Sequence, residues 1–383
     1  MIFIFYRDLR VEDNTALKHL LSQFDISEIG FACIVDPVIN KNKFAKETFY
    51  NVIDSLSKSL NINIQLFDNI NSLDKHISAR FQKYKTQTQK AKGTPAFTIA
   101  FNKNLIIWEQ WQKQIITKYD KQCDIVCKED YTLLPEKLAS NKKGEFYKVY
   151  TPFYKHYISG LKKNKNNLNI SIDFDIKSSS KLRDEGLQIL NRVSNGDFNN
   201  YKSTRNYPSN KDGTTKLGKY ISFGVISIRE VYSCIPAVNR ELIREIIWRD
   251  FFYFCNDHTS AVIKKKSKKG KAMQNWSWSD AHNFIKAGIK ELMETGWVNN
   301  RLRMIIVMFM IKTKELSPEY TANWFSKYMV DYYESSNSGG IFWAIRQPSF
   351  RNFNYNLQYD RYDKNGEYTN AILSQKKLKM NKI

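Results

Sequence analysis

The chain is 383 residues long, enough for about two domains and a sizeable core, and it carries 60 Lys and Arg against 38 Asp and Glu. The formal charge of +22 favours a polyanionic partner, nucleic acid above all, although a Lys- and Asn-rich proteome would make any of its proteins basic. The five cysteines form no CxxC pair and have no His at zinc-finger spacing. The sequence therefore predicts a reducing compartment and excludes a structural metal site of the finger type.

The N-terminal pentad MIFIF predicts a buried strand rather than a targeting segment. Charged residues follow it at Arg7 and Asp8, too early for a secretory leader or for a membrane span of about 20 apolar residues. We therefore expect an intracellular protein, in the cytoplasm or the nucleus, with no membrane partner.

Residues 1–128 alternate short apolar runs with amphipathic stretches of about a dozen residues. Strands and helices in this order predict βαβ units, and therefore an α/β domain with a doubly wound parallel sheet. The pattern GxGxxG is absent, so this domain is not expected to bind a dinucleotide in the ordinary way. The strand-like runs are IFIFY, IGFACIVD, INIQLFD, PAFTIAF and CDIVCK.

Residues 129–182 form the predicted interdomain linker, because the stretch 160–182 is polar, basic and rich in Ser. After it, the apolar residues recur with helical spacing almost throughout, which predicts an all-α domain over residues 183–383. The basic run KKKSKKGK at 264–271 lies between two of these predicted helices. It is interpreted either as a phosphate-contacting loop or as a solvated run of charge.

The segment TGWVNNRLRM at 295–304 combines polar residues with the start of an apolar helix. On a helix, Asn300, Arg303 and Met304 share one face, while Arg301 points about 100° away. A buried amide or guanidinium needs a partner, because leaving it unpaired costs on the order of kcal/mol. Arg303 could pair with a core carboxylate and Asn300 could cap a turn, so the segment alone leaves a structural role and a binding role open.

Four other segments carry residues suited to binding. GTTKLGKY at 213–220 places Gly and two hydroxyls at a predicted helix start, a setting that suits a phosphate or a simple cap. REIIWRDFF at 244–252 places Glu245 and Trp248 on one helix face, with an Arg beside them. DYYESSNSGG at 331–340 is predicted to end a helix in a polar, Gly-rich turn. YKVYTPFYKHY at 147–157 has more aromatic residues than packing demands.

These segments resemble the photolyase/cryptochrome flavoproteins. Together with RDLRVEDNTAL near the N-terminus and FRNFNYNLQYDRYDKNGEY at 350–368, they follow the order and approximate spacing of that family over nearly the whole chain. The resemblance implies an N-terminal α/β domain, a long linker and a helical domain that holds a bent FAD. It also implies UV-damaged DNA as the partner of a monomer.

The resemblance implies specific FAD contacts. Lys216 takes the place of a customary Arg, and Tyr333 takes the place of an Asp that ordinarily accompanies Asp331 near the flavin. Asp331 and Arg303 resemble an ion pair beside the isoalloxazine, and Asn337 resembles the residue that faces flavin N5. The implied cofactor-binding residues are Tyr201, Thr214, Thr215, Lys216, Leu217, Arg303, Asp331, Tyr333 and Asn337.

A second set is implied to bind damaged DNA. Glu245 and Asn300 resemble the pair that hydrogen-bonds the thymine carbonyls, Met304 the residue that packs on the dimer, and Trp248 and Trp343 the walls of the lesion pocket. Neither position 300 nor 304 is the His of (6-4) photolyases, which favours a cyclobutane pyrimidine dimer photolyase of the first class. The implied DNA-binding cations are Arg249, Arg301, Arg351, Lys264, Lys265 and Lys266.

The chain departs from the family pattern in its electron relay. The three positions at which the family commonly has Trp fall on Ile341, on Pro318 and near Lys265. Trp324, Tyr332, Tyr333 or the pair Trp276 and Trp278 are alternative relay residues. These departures leave a blue-light photoreceptor without repair activity as the second interpretation, and the sequence does not identify an antenna chromophore.

Overall fold

The computed structural model of the protein describes residues 1–88, 96–164, 178–268, 277–346 and 354–375. Within these ranges, an N-terminal parallel sheet is followed by a region built of helices, as the sequence predicts. The strands are β1 (Ile2–Phe5), β2 (Gly30–Ile34), β3 (Ile64–Phe67), β4 (Thr98–Lys103) and β5 (Asp124–Glu129).

Helices connect the strands and dominate the described chain after β5. Those of the N-terminal part are α1 (Thr15–Leu21), α2 (Pro37–Lys41), α3 (Lys43–Leu60), α4 (Ile70–Thr88), α5 (Lys113–Tyr119), α6 (Glu136–Ala139) and α7 (Tyr150–Lys163). Those that follow are α8 (Lys181–Ser194), α9 (Tyr201–Thr204), α10 (Gly218–Phe223), α11 (Ile228–Cys234), α12 (Arg240–Phe254), α13 (Asn256–Ser267), α14 (Asn283–Thr295), α15 (Asn300–Met308), α16 (Pro318–Tyr328), α17 (Glu334–Arg346), α18 (Tyr355–Tyr362) and α19 (Glu367–Leu373).

The described strands form one parallel sheet in the order β3-β2-β1-β4-β5. In the central strand, Ile2 lies opposite Gly30 of β2 on one side and opposite Ile99 of β4 on the other. The chain runs outward from β1 to β3 and then crosses back to β4 and β5. This order confirms the predicted doubly wound α/β fold and places a topological switch point at the carboxyl ends of β1 and β4.

The sequence IFIF forms the central strand because both of its faces are covered. All four side chains are buried. Phe3 and Phe5 pack in one apolar cluster, and Ile2 and Ile4 pack in another, as the two-residue period of a strand requires. A parallel strand with helices on both faces is therefore apolar at successive positions.

Helix α7 lies inside the segment predicted as linker. It is amphipathic, and it buries Tyr150, Phe153, Tyr157 and Leu161. Residues 165–177, which hold much of the polar stretch, lie outside the described residues. The domain boundaries at residues 128 and 182 remain predictions.

The basic run at 264–271 was predicted to lie between two helices. This prediction is wrong for its first residues, which belong to a helix. Lys264, Lys265 and Lys266 form the last turn of α13, and their side chains are exposed. The helix continues here because Ile263 is buried, because Lys is a good helix former and because cations are favoured at a helix C-terminus. Residues 269–271 lie outside the described residues.

The segment DYYESSNSGG begins a helix rather than ending one, so that prediction is also wrong. Helix α17 starts at Glu334, where a negative charge is favoured in the first turn. A Cβ on Gly339 would overlap the ring of Phe252 in α12. The glycine therefore allows α17 to approach α12 closely.

The segment RDLRVEDN at 7–14 joins the sheet to the helical region through buried charges. Asp130, directly after β5, is 2.5 Å from Arg10 Nη2 and 2.7 Å from Arg229 Nη2. Asp13 pairs with Arg229 over 2.8 Å. Because Arg229 belongs to α11, this network positions the helical region against the carboxyl edge of the sheet.

Candidate functional site

The ion pair expected between Arg303 and Asp331 is present. Arg303 Nη2 lies 2.9 Å from Asp331 Oδ2, and Arg303 Nε donates to the Val298 carbonyl oxygen over 2.8 Å. Asp331 Oδ1 is buried and accepts no hydrogen bond from a described residue. A Cβ on Gly218 would lie 2.7 Å from Asp331 Oδ2. The pair therefore adjoins the start of α10 and retains one carboxylate oxygen as an acceptor.

The two hydroxyls of GTTKLGKY precede α10, as predicted. Thr214 and Thr215 are half-buried, and the Leu217 backbone N–H donates to Thr215 Oγ1 over 3.5 Å. Lys216 has a left-handed backbone with φ of 53°, and its Nζ lies 4.8 Å from the centroid of the Trp297 ring. The phosphate contact of this segment stays a prediction.

Glu245 on α12 is held by Arg205, a residue that the sequence analysis did not select. Arg205 Nη1 donates to Glu245 Oε1, and Arg205 Nη2 lies 3.6 Å from Glu241 Oε2. Burial raises the pKa of the Glu245 carboxyl, and the guanidinium opposes this rise. Arg205 also lies 5.8 Å from the centroid of the Tyr201 ring. Its position four residues after Tyr201 is the sequence signal that could have identified it.

The start of α15 lies next to Arg205. Asn299, rather than Asn300, caps the helix: its Oδ1 accepts from the Arg301 backbone N–H over 2.8 Å, and its Nδ2 donates to the Arg205 carbonyl oxygen over 3.1 Å. Asn300 is exposed and Met304 is half-buried. The predicted polar face therefore lies on the open side of the helix, opposite the buried residues Leu302, Ile305 and Ile306.

Trp248 lies flat on Tyr150 of α7. Their ring centroids are 3.4 Å apart and the planes differ by 4°. This stack gives one use for the aromatic-rich segment 147–157. Trp343 is half-buried on α17, four residues after Gly339, and no ring contact joins it to Trp248 within the described part of the chain.

The predicted DNA-binding cations are separated. Arg301 is half-buried and donates to Asn206 Oδ1 from Nη2 over 3.0 Å. Arg249 Nη1 donates to the Tyr131 carbonyl oxygen and to Asp250 Oδ1, each over 2.6 Å, so its placement inside the protein does not support the predicted DNA contact. Lys264, Lys265 and Lys266 are exposed on α13, whereas Arg351 lies outside the described residues.

Tyr333 directs its hydroxyl toward the α/β domain. It accepts a hydrogen bond from Asn104 Nδ2 over 2.8 Å, and burial raises the pKa of Tyr333 to about 12. Asn337, one turn later, donates from Nδ2 to the Ala322 carbonyl oxygen over 3.4 Å. The flavin contacts expected of both residues stay predictions.

Two of the alternative relay residues are in contact. The rings of Trp278 and Trp324 have centroids 5.3 Å apart, and Tyr328 lies 5.1 Å from Trp324. Trp276 lies outside the described residues. The electron relay stays a hypothesis.

A cavity of about 150 Å³ lies at the switch point of the sheet. It is smaller than the roughly 300–1,000 Å³ that ligand pockets ordinarily have. Its walls come from both parts of the chain: Tyr6, Asp36, Pro37, Val38, Ile106, Ile107, Gln110, Tyr332, Tyr333 and Glu334.

None of the helices in the described parts of the chain combines the length and apolar character that crossing a bilayer requires.

Comparison with known proteins gives two family matches. The DNA photolyase model matches residues 1–168, and the model of the FAD binding domain of DNA photolyase matches residues 242–378. The second match covers Glu245, Arg303 and Asp331, and it shows that the helical region contains an FAD-binding domain.

Individual relatives agree with these matches. The chain is 26% identical to a deoxyribodipyrimidine photo-lyase of Alkalihalophilus pseudofirmus over 64% of its own length and 61% of that protein. It is 25% identical to the deoxyribodipyrimidine photo-lyase of Buchnera aphidicola over 97% of its own length and 87% of that protein.

Among solved structures, a bacterial class III photolyase from Agrobacterium tumefaciens superposes with a TM-score of 0.77 and 20% sequence identity. The superposition covers 97% of this chain and 86% of the other. At this identity the likeness concerns the fold, and it includes both the parallel sheet and the helical region. The family matches, the relatives and the shared fold together show that the chain belongs to the DNA photolyase/cryptochrome family.

Proposed function

We propose that this protein is a deoxyribodipyrimidine photolyase that repairs cyclobutane pyrimidine dimers in DNA with light. One observation carries the proposal: Arg205 contacts both Glu245 and the exposed start of α15. Arg205 donates to Glu245 through its side chain, and its carbonyl oxygen accepts from Asn299, the neighbour of Asn300. A carboxylate and an amide, the two groups expected to bind the thymine carbonyls, thus lie on elements joined by one residue.

The donor set fits a flavin. Asp331 Oδ1 is a buried acceptor with no described partner, Arg303 pairs with the carboxylate and orients it, and two hydroxyls precede α10. Thr214, Thr215 and Leu217 would hold the diphosphate and ribityl groups, with Lys216 and Tyr201 beside them. When bound in its reduced state, FAD supplies the photoexcited electron donor of the reaction.

The reaction is redox-neutral overall. The dimer would gain one electron, the two carbon–carbon bonds that join the pyrimidines would break, and the repaired pyrimidines would give that electron up again. The dimer has to leave the base stack to reach the site, at a cost of a few kcal/mol that is smallest for a damaged pair; photolyases are a general example of this step. The formal charge of +22 favours binding of the strand through its phosphates.

The chain's own residues distinguish the lesion. Asn300 and Glu245 supply hydrogen bonds to the pyrimidine edges, and Met304 supplies an apolar contact. Neither Asn300 nor Met304 can shuttle a proton as His does, so the site suits a dimer that needs only an electron. This supports the cyclobutane dimer over the (6-4) product.

The deciding experiment uses protein loaded with FAD, reduced chemically in the absence of oxygen, and an oligonucleotide with one cyclobutane thymine dimer. We expect the thymine absorbance near 260 nm to return under blue or near-ultraviolet light and to stay unchanged in the dark. A lack of repair by protein with bound, reduced FAD would contradict the proposal.

The second candidate is a blue-light photoreceptor without repair activity. It is favoured by Tyr333, which stands where the family has an Asp and whose hydroxyl is bound to Asn104 of the α/β domain. Under this alternative, the protein would bind FAD and respond to light but would bind dimer-containing and undamaged DNA equally well. The repair assay and a comparison of the two affinities separate the candidates.

A further inference from the structure

Three consecutive residues after α9 contact three different helices. Arg205 donates to Glu245 of α12, Asn206 Oδ1 accepts from Arg301 of α15, and the ring of Tyr207 packs edge-on against a tyrosine of α18. The short segment 205–207 therefore connects the proposed lesion residue Glu245 to a second cluster of side chains. Within this second cluster the family resemblance implies a role only for Arg301, although Arg361 and Tyr362 lie in one of the segments that carry the resemblance.

The cluster is built around the buried ring of Tyr362. The guanidinium carbon of Arg301 lies 4.7 Å from its centroid, and that of Arg361 lies 5.4 Å from it. Tyr207 lies 5.9 Å away with an interplanar angle of 72°. Stacking on an aromatic ring holds a guanidinium in place without neutralising its charge. The ring of Tyr362 thus contacts two cations.

Neither Arg301 nor Arg361 forms an ion pair with a described residue. Arg205 forms an ion pair with Glu245, and it lies close enough to Arg301 to influence the pKa of that guanidinium. Burial and the nearby Arg205 and Arg361 lower the pKa of Arg301. Two adjacent guanidinium groups repel each other, so an anion placed between them would be bound favourably.

The cluster also presents an aromatic surface. Tyr207 is 42% exposed, whereas most large rings of the chain are buried. An exposed ring beside unpaired arginines is the arrangement with which proteins hold a single nucleic-acid strand: cations contact the phosphates, and the ring stacks on a base. A protein partner would need a contiguous apolar patch, whereas Asn206, Arg301 and Arg361 add polar and charged groups to the cluster of Tyr207 and Tyr362.

We propose that Tyr207, Arg301, Arg361 and Tyr362, here called the Tyr207 platform, hold the DNA strand next to the flipped lesion. Arg301 and Arg361 contact backbone phosphates, and Tyr207 stacks on the base beside the gap that the dimer leaves. The inference rests on the proposed function, and it extends that function from the lesion itself to the flanking strand.

The test measures the affinity of the full chain, loaded with FAD, for fluorescently labelled oligonucleotides with and without a thymine dimer over a range of salt concentrations. We expect Tyr207→Ala to weaken binding of dimer-containing duplex by about tenfold, within the range of one lost base stack, with an unchanged salt slope. Tyr207→Phe keeps the ring and should bind as the unchanged protein does. Arg361→Gln should weaken binding to both DNAs and reduce the salt slope by about one.

Matched controls come from α3, far along the chain from the platform. Tyr50 is 37% exposed and Lys58 is exposed, so Tyr50→Ala and Lys58→Gln remove a similar ring and a similar charge. Both variants should bind DNA unchanged, and FAD content verifies that all variants fold. If Tyr207→Ala and Arg361→Gln bind as tightly as the controls while the unchanged protein prefers dimer DNA, only the platform is wrong. If the unchanged protein shows no such preference, the platform and the proposed function are both wrong.

Discussion

Glu245 shares its guanidinium partner with a second acid, which provides a matched pair for mutagenesis. Arg205 contacts both Glu245 and Glu241. Only Glu245 is proposed to bind the dimer, so loss of Glu241 should disturb Arg205 without removing a contact to the lesion.

We predict that Glu245→Ala lowers the preference for dimer-containing over undamaged DNA by roughly 10- to 100-fold. The reason is the loss of a charge-assisted hydrogen bond, which contributes about 1.5–3 kcal/mol. Glu241→Ala should change the preference by less than about threefold. The measurement is the ratio of the two dissociation constants for each variant, and equal losses in both variants would show that the acids act only through Arg205.

Tyr150 fixes one face of Trp248 and also donates its hydroxyl to the Arg244 carbonyl oxygen over 3.2 Å. The indole can therefore offer only its other face or its edge to a substrate. The stack covers Tyr150 and part of Trp248, and the apolar area removed from water stabilises the fold.

Substitution of Tyr150 separates these contributions. We predict that Tyr150→Ala lowers the free energy of unfolding by about 3–5 kcal/mol and changes the near-ultraviolet circular dichroism of Trp248. Tyr150→Phe loses one hydrogen bond, about 0.5–1.5 kcal/mol, and keeps the spectrum. Urea unfolding and near-ultraviolet spectra measure both effects, and an unchanged Tyr150→Ala spectrum would mean that Trp248 does not depend on the stack.

At the scale of elements, the contact between α12 and α17 depends on one glycine of an adjacent pair. A Cβ on Gly339 would overlap the Phe252 ring, whereas a Cβ on Gly340 would have no heavy atom within 4 Å. Both glycines lie in the same helix, so helix propensity affects them equally.

We therefore predict opposite results for two Gly→Ala substitutions. Gly339→Ala should destabilise the protein by about 1–3 kcal/mol and lower its FAD content, because α17 also carries Asn337 and Trp343. Gly340→Ala should be neutral or stabilise by about 0.5–1 kcal/mol, since Ala is the better helix former. Thermal unfolding and flavin absorbance test this, and a stable, fully loaded Gly339→Ala protein would refute the close-packing explanation.

At the scale of the whole molecule, buried charges connect the sheet to the helical region, and two of them respond to pH in opposite directions. Burial alone would raise the pKa of Asp130, but the guanidinium groups of Arg10 and Arg229 outweigh burial and hold this pKa well below its usual range. Burial raises the pKa of Asp8 to about 6. Asp130 therefore contributes stability that is complete above an unfolded-state pKa of about 3.9 and is lost as the pH falls below it. Asp8 binds its proton more tightly in the folded state, so its contribution to stability decreases as the pH rises from about 4 to about 6.

We predict that Asp130→Asn lowers the free energy of unfolding by about 3–5 kcal/mol at pH 7, because it leaves Arg10 and Arg229 buried without their shared carboxylate. The variant should also lose less stability between pH 4 and pH 2.5 than the unchanged protein. Urea unfolding at pH 7 and at several acidic values measures both. Parallel acid profiles for the two proteins would contradict the role of Asp130.

Whether a feature could be predicted depended on how far apart in the sequence its contacting residues lie. The strands, the doubly wound sheet and the shared helix face of Asn300 and Met304 were predictable, because a two-residue or 3.6-residue apolar period is local information. The segment 331–340 was misassigned because a Gly-rich run can end a helix or begin a closely packed one, and only Phe252 of another helix distinguishes them. Arg205 was missed, and the stack of Tyr150 on Trp248 was not predicted, for the same reason: the partners Glu245 and Trp248 lie far along the chain.

The sequence by itself determined the two-part architecture, the basic charge and the family resemblance, and that resemblance implied the pairing of Arg303 with Asp331. Only the tertiary structure decided that Arg205 holds Glu245, that Tyr150 covers Trp248, that Arg249 is engaged within the protein and that Tyr207, Arg301 and Arg361 gather around Tyr362. The physical reason is that periodicity specifies which face of a helix is buried, whereas the partner of a side chain on that face depends on how helices distant in sequence pack together.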